Sequence, residues 1–72
     1  MKVSYDKEVD AVYIQLSDNA PEGVVEIREG VNLDITNDDQ IVGIEIIDAS
    51  KKIDINTLFT YIIDRKTARD SA

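Results

Sequence analysis

The chain offers chemistry a narrow set of tools. Fifteen Asp and Glu stand against eight Lys and Arg in 72 residues, and His, Cys and Trp are missing. Without imidazole or thiol, Ser–His–Asp and Cys–His nucleophile arrangements are excluded, as are Cys/His zinc sites. Carboxylates remain. Asp6, Glu8 and Asp10 alternate and could present oxygens to a hard cation such as magnesium, although an exposed charged turn explains them equally well. Asp34-Ile35-Thr36-Asn37-Asp38-Asp39-Gln40, with Glu45 twelfth from Asp34, invites a calcium-loop reading. The sixth position of such a loop needs Gly and here holds Asp39. Its flanks should be helices and here alternate with period two, so the segment reads as a hairpin turn. Ser4, Ser17, Ser50 and Lys51 sit in no nucleophile motif, and Gly30 and Gly43 in no phosphate-binding pattern. The expectation is a protein that is not an enzyme and holds no metal or other cofactor. A weak metal-binding enzyme using Asp6, Glu8, Asp10 or Asp34 is the chemical alternative.

Size and charge bound the rest. One domain fits 72 residues, with a core so thin that oligomerisation is its natural supplement. The formal charge is −7, and residues 1–48 hold twelve acids against three bases. Such a surface repels phosphate backbones, which argues against nucleic acid as a partner. The first residues lack the apolar core of a secretory signal, and no apolar run approaches the ~20 residues of a membrane span. A cytoplasmic protein without membrane contact is expected.

Eleven Ile and seven Val against three Leu favour strands, because β-branched side chains suit a pleated surface. Alternation places strands at 1–5, 11–16, 24–27, 31–36 and 41–47. A three-residue loop Arg28-Glu29-Gly30, with Gly30 left-handed, sets Ile27 against Val31 and Val25 against Leu33. A turn within residues 37–40 sets Thr36 against Ile41, Ile35 against Val42, Leu33 against Ile44 and Val31 against Ile46. Beyond Asp48 the period changes. Ile55, Leu58, Phe59, Ile62 and Ile63 form a helical stripe, with Asp54 or Asn56 as cap and Arg65, Lys66 and Arg69 suited to its carboxyl end. The predicted fold is α+β: a five-stranded, mainly antiparallel β-meander over residues 1–47, with one C-terminal helix at 54–66 packed on one face and a frayed tail at 70–72.

That arrangement leaves a second face pointing away from the helix, with Tyr13, Val24, Glu26, Asn32, Asp34, Glu45 and Ile47 upon it. An antiparallel sheet commonly solvates one face. The same residues could form a docking surface, Tyr13, Val24 and Ile47 at its apolar centre and carboxylates at its rim. The expected function is a non-enzymatic protein-interaction or self-associating module. Its expected partner is a second copy, a dimer first of all, or another small protein.

The chain resembles domain of unknown function family 2283, small bacterial and archaeal proteins. The match rests on Tyr5-Asp6, Asp10-Ala11, Tyr13-Ile14, Leu16-Ser17, Gly30-Val31 and Asp34, and above all on the run from Ile41 through Gly43 and Glu45 to Asp48-Ala49-Ser50. It covers about residues 2–52. Members often carry Pro at the place of Lys7 and Gly at that of Asp39. The resemblance implies small single-domain proteins, sometimes encoded beside another short protein, and so an antitoxin-like regulatory partner as an alternative function. It implies no site residues.

Overall fold

The computed structural model describes residues 1–60 and 62–64. Strands β1 (Lys2–Asp6), β2 (Ala11–Gln15), β3 (Gly23–Arg28), β4 (Val31–Ile35) and β5 (Ile41–Ile47) form one antiparallel sheet. Each lies within one residue of where alternation placed it. Their order is β1-β2-β5-β4-β3, which corrects the expected meander. β1 and β2 form one hairpin, and β3, β4 and β5 follow one another as a second unit. β2 pairs with β5, and residues 16–22 cross to the far edge, a Greek-key connection. Crossing three strand spacings takes ~14 Å, well within the ~23 Å reach of seven residues. β5 takes the centre because it is the longest strand and carries Ile44 and Ile46, which face apolar partners on both sides: Ile14 and Leu33, then Val12 and Val31.

Two registers hold at their centres and shift at their turns. Val25 faces Leu33, Leu33 faces Ile44 and Val31 faces Ile46, as alternation requires. Arg28, not Ile27, faces Val31, and the turn shortens to Glu29-Gly30 with Gly30 at φ 75°. A register shift between Glu26 and Arg28 takes up the extra residue, so the apolar faces stay aligned. At the next turn Ile35 faces Ile41, not Val42, and Thr36 leaves the ladder. The buried Thr36 hydroxyl donates to the Asp38 carboxylate and accepts from the Gln40 N–H at 3.0 Å, while its own N–H reaches the Gln40 carbonyl at 2.9 Å.

The C-terminal helix is not formed, which makes the fold mainly β rather than α+β. Two 3₁₀ turns stand there instead, Ala49–Lys51 and Ile55–Phe59. Asp54 caps the second by accepting from the Asn56 N–H at 3.0 Å, but Thr57 Oγ1 bonds back to the Asp54 carbonyl and Thr60 is extended. Asn, Thr and β-branched Ile are poor helix formers, and Ser/Thr back-bonding competes with helix propagation. Phe59 and Ile62 are therefore 77% and 81% exposed rather than packed on the sheet. Residues 65 and 66, Arg69 and the tail at 70–72 lie outside the described residues.

Asp39 sits at φ 65°, a left-handed conformation that costs an L residue more than glycine. Its exposed position makes Asp39→Gly a clean test. We expect stabilisation by about 0.5–1 kcal/mol, seen as a rise of several degrees in the thermal midpoint.

Candidate functional site

Register divides the side chains into two faces. One carries Val25, Leu33, Ile44, Ile14 and Val3 in a row across all five strands, with Val31, Ile46, Val12 and Tyr5 in the next. The other carries Glu26, Asn32, Glu45, Tyr13 and Ser4 in one row, and Val24, Asp34, Gly43, Gln15 and Lys2 in the next. The polar face thus brings together Glu26, Asn32, Glu45, Tyr13 and Asp34. Asn32 Nδ2 donates to Glu45 Oε1 at 3.2 Å, and the Tyr13 hydroxyl donates to Asp34 Oδ2 at 2.9 Å.

Tyr13 reaches Asp34 by lying over Gly43. A Cβ at residue 43 would collide with the Tyr13 hydroxyl and ring, and would sit 3.0 Å from the Ile14 carbonyl. Gly43 is here because an aromatic side chain uses its space, not because the backbone needs a positive φ. The hydrogen bond to Asp34 holds the Tyr13 phenol above its ordinary pKa, reinforced by desolvation and by the Asp34 and Glu45 charges. Ile47 lies beside Ala11 at the other end of the face from Val24. In a flat sheet the two are ~16 Å apart, so no single apolar centre forms around Tyr13. This face is a hydrogen-bonded polar surface.

A second cluster joins segments forty residues apart. Asp10, at φ 53° in the β1–β2 turn, accepts from the Tyr5 hydroxyl at 2.8 Å, the Ser50 hydroxyl at 2.6 Å and the Ser50 N–H at 3.0 Å. Its carbonyl accepts from the Ala49 N–H at 2.9 Å, and Ala49 is fully buried. Asp48 turns the chain at φ 54° so that Ala49 and Ser50 meet that turn. The Ser50 hydroxyl holds the Asp10 carboxyl below its ordinary pKa, with help from Tyr5, the Ser50 N–H and Lys51 and against partial desolvation. The hydrogen bond from Tyr5 to Asp10 in turn raises the Tyr5 phenol, with desolvation and the Asp10 and Asp6 charges. Sequence reasoning took Asp10 as a possible metal ligand and missed this latch. No periodicity signals a contact between residues 10 and 50; the run Asp48-Ala49-Ser50 was the available hint.

Asp10 is thus committed to protein donors, and Asp6 Oδ1 accepts from the Glu8 N–H at 3.0 Å. No group of three or more acidic side chains among the described residues is arranged to hold a metal ion. In the loops, Glu22 binds Asn37 through its N–H and its side-chain amide, both at 2.9 Å. A shallow hollow lined by Met1, Lys2, Gln15 and Leu16 lies open to solvent. Among the described residues no helix is long and apolar enough to cross a membrane.

Residues 2–50 match DUF2283, a family described as proteins of unknown function. The chain belongs to that family. The matched region takes in the whole sheet and the Asp10–Ser50 latch, and stops short of the second 3₁₀ turn. No curated protein and no solved structure matches the chain.

Two substitutions test these clusters. Gly43→Ala should cost about 1–3 kcal/mol by overpacking, and most of that cost should vanish in a Tyr13→Ala background, as a double-mutant cycle by urea unfolding would measure. Ser50→Ala should destabilise at neutral pH. A depressed carboxyl contributes stability above its unfolded pKa and loses it as pH falls through the folded value. The gap between Ser50→Ala and wild type should therefore be full at pH 7 and shrink below about pH 4, read from urea midpoints at pH 7 and pH 3.

Proposed function

We propose that this protein is a self-associating interaction module whose apolar sheet face docks on the same face of a second copy. The observation that carries the reading is an apolar layer that is only partly covered. Val12, Val42 and Ala49 are the buried apolar residues among those described, while Val3, Val25 and Ile41 remain exposed. Folded domains are built from packed layers, and a single sheet buries too little to stand alone. The apolar face spans five strands, roughly 24 Å, half-buried along its centre and open at Val3 and Val25 on its two edges, and such partly exposed apolar surface marks an interaction site.

Charge favours a second copy as the occupant. Asp6, Glu26, Asp34 and Glu45, the acids of the strands, all fall on the polar face. Stacking two apolar faces about a two-fold axis points every one of them outward. The two acidic surfaces are then separated by the ~10 Å between stacked sheets plus the side chains on either side, beyond the ~8 Å screening length at physiological salt.

Light scattering across a dilution series tests this. The mass expected at tens of micromolar is a multiple of the 8.1 kDa chain, and the urea midpoint should rise with protein concentration because association is linked to folding. Leu33→Lys, which plants a charge mid-face, should lower both mass and midpoint. A wild-type chain that is monomeric throughout, with a concentration-independent midpoint, sinks the reading.

A further inference from the structure

Independently of the face, we infer that edge strand β3 pairs antiparallel with β3 of a second copy, in one register, making the two sheets continuous. The sheet has two open edges, and they are built differently. β1 places charged Lys2 and Asp6 at its ends, a common protection against edge pairing. β3 instead exposes Val24, Val25 and Ile27, at 66%, 45% and 53%. β3 also carries two charges, Glu26 and Arg28, but it exposes three large apolar side chains where β1 exposes Val3.

The ladder determines which backbone groups are free. The Ile47 N–H bonds the Gly30 carbonyl at 2.8 Å, which makes Gly30–Ile47 a hydrogen-bonded pair. Pairs alternate along antiparallel strands, so Asn32 and Asp34 also point their backbone groups to β5, and Leu33 and Ile35 point theirs to β3. Their partners Val25 and Gly23 therefore face inward. The N–H and C=O groups of Val24 and Glu26 face outward.

A two-fold β3–β3 pairing must match outward groups with outward groups, which leaves three central registers. Centring on Glu26 sets Glu26 directly against Glu26 of the other copy. Centring on Val24 sets Glu26 against Glu22. Like charges directly opposite are destabilising. Centring on Val25 avoids both: Val24 meets Glu26 and Val25 meets Val25. The Val25 pair then prolongs the apolar row Leu33–Ile44–Ile14–Val3 across both sheets. The register shift between Glu26 and Arg28 ends the pairing on each side.

The chain has no cysteine, so a single introduced thiol reports the contact. In this register Val25 forms a non-hydrogen-bonded pair with its counterpart, Cα atoms ~4.5 Å apart, inside the range a disulfide spans. Disulfides also bridge stacked sheets in sandwich domains, so the Glu26→Pro arm separates edge pairing from face stacking: Glu26 lies on the polar face, and its outward N–H serves only the edge. Under mild oxidation at tens of micromolar, Val25→Cys should form a covalent dimer at least about tenfold faster than Val3→Cys on the other edge, as a millimolar effective concentration requires. Glu26→Pro removes an outward N–H, leaves the β3–β4 ladder intact, and should abolish that advantage when combined with Val25→Cys, with an unchanged circular dichroism spectrum. No crosslink at residue 25, a rate equal to that at residue 3, or a crosslink untouched by the folded Glu26→Pro variant overturns the pairing.

Discussion

The structure depends on β5 being hydrogen-bonded along both edges. A central strand cannot leave either row of backbone groups unpaired without a large desolvation penalty. β2 fills one row and β4 the other. Everything else is arranged around that requirement. Residues 16–22 must travel to the far edge because β2 has taken the place beside β5. Leu16 and Ser17 both donate to the Val42 carbonyl, at 2.8 and 3.1 Å, as the chain departs. The turn after β4 must return β5 in line, and Thr36, Asp38, Asp39 and Gln40 close it by bonding one another.

The same strand gives nearly every residue from Gly43 to Ser50 a distinct physical role. Ile44 and Ile46 supply the apolar face. Gly43 leaves room for Tyr13, and Tyr13 in turn ties β2 to Asp34 on β4 across β5. Glu45 answers Asn32. Asp48 turns the chain so that Ala49 is buried and Ser50 reaches Asp10. Each position has its own physical requirement. The polar groups of this scaffold bond one another, and its apolar face is buried at Val12 and open at Val3 and Val25.

Much of this was legible beforehand. Alternation placed all five strands, because each strand must put Val, Ile or Leu on one face. Gly30 in the left-handed region followed from the turn's need for positive φ. The helical stripe from Ile55 to Ile63 misled, because spacing alone cannot reveal that Asn56, Thr57 and Thr60 favour a tight turn and then an extended chain. The turn shifts at Ile27 and at Thr36 were hidden for a related reason. A bulge preserves the facing pattern while changing the count, so periodicity is blind to it.

The sequence by itself determined which residues are strand to within one position, which side of each strand is apolar, and that Glu26, Asp34 and Glu45 share the other face. Those are local consequences of side-chain type and a period of two. Only the tertiary structure decided that β2 sits beside β5, that Tyr13 covers Gly43, and that Asp10 receives Ser50. These pairings join residues 28 to 40 positions apart, and their energy exists only once the backbone ladder has brought the partners within reach.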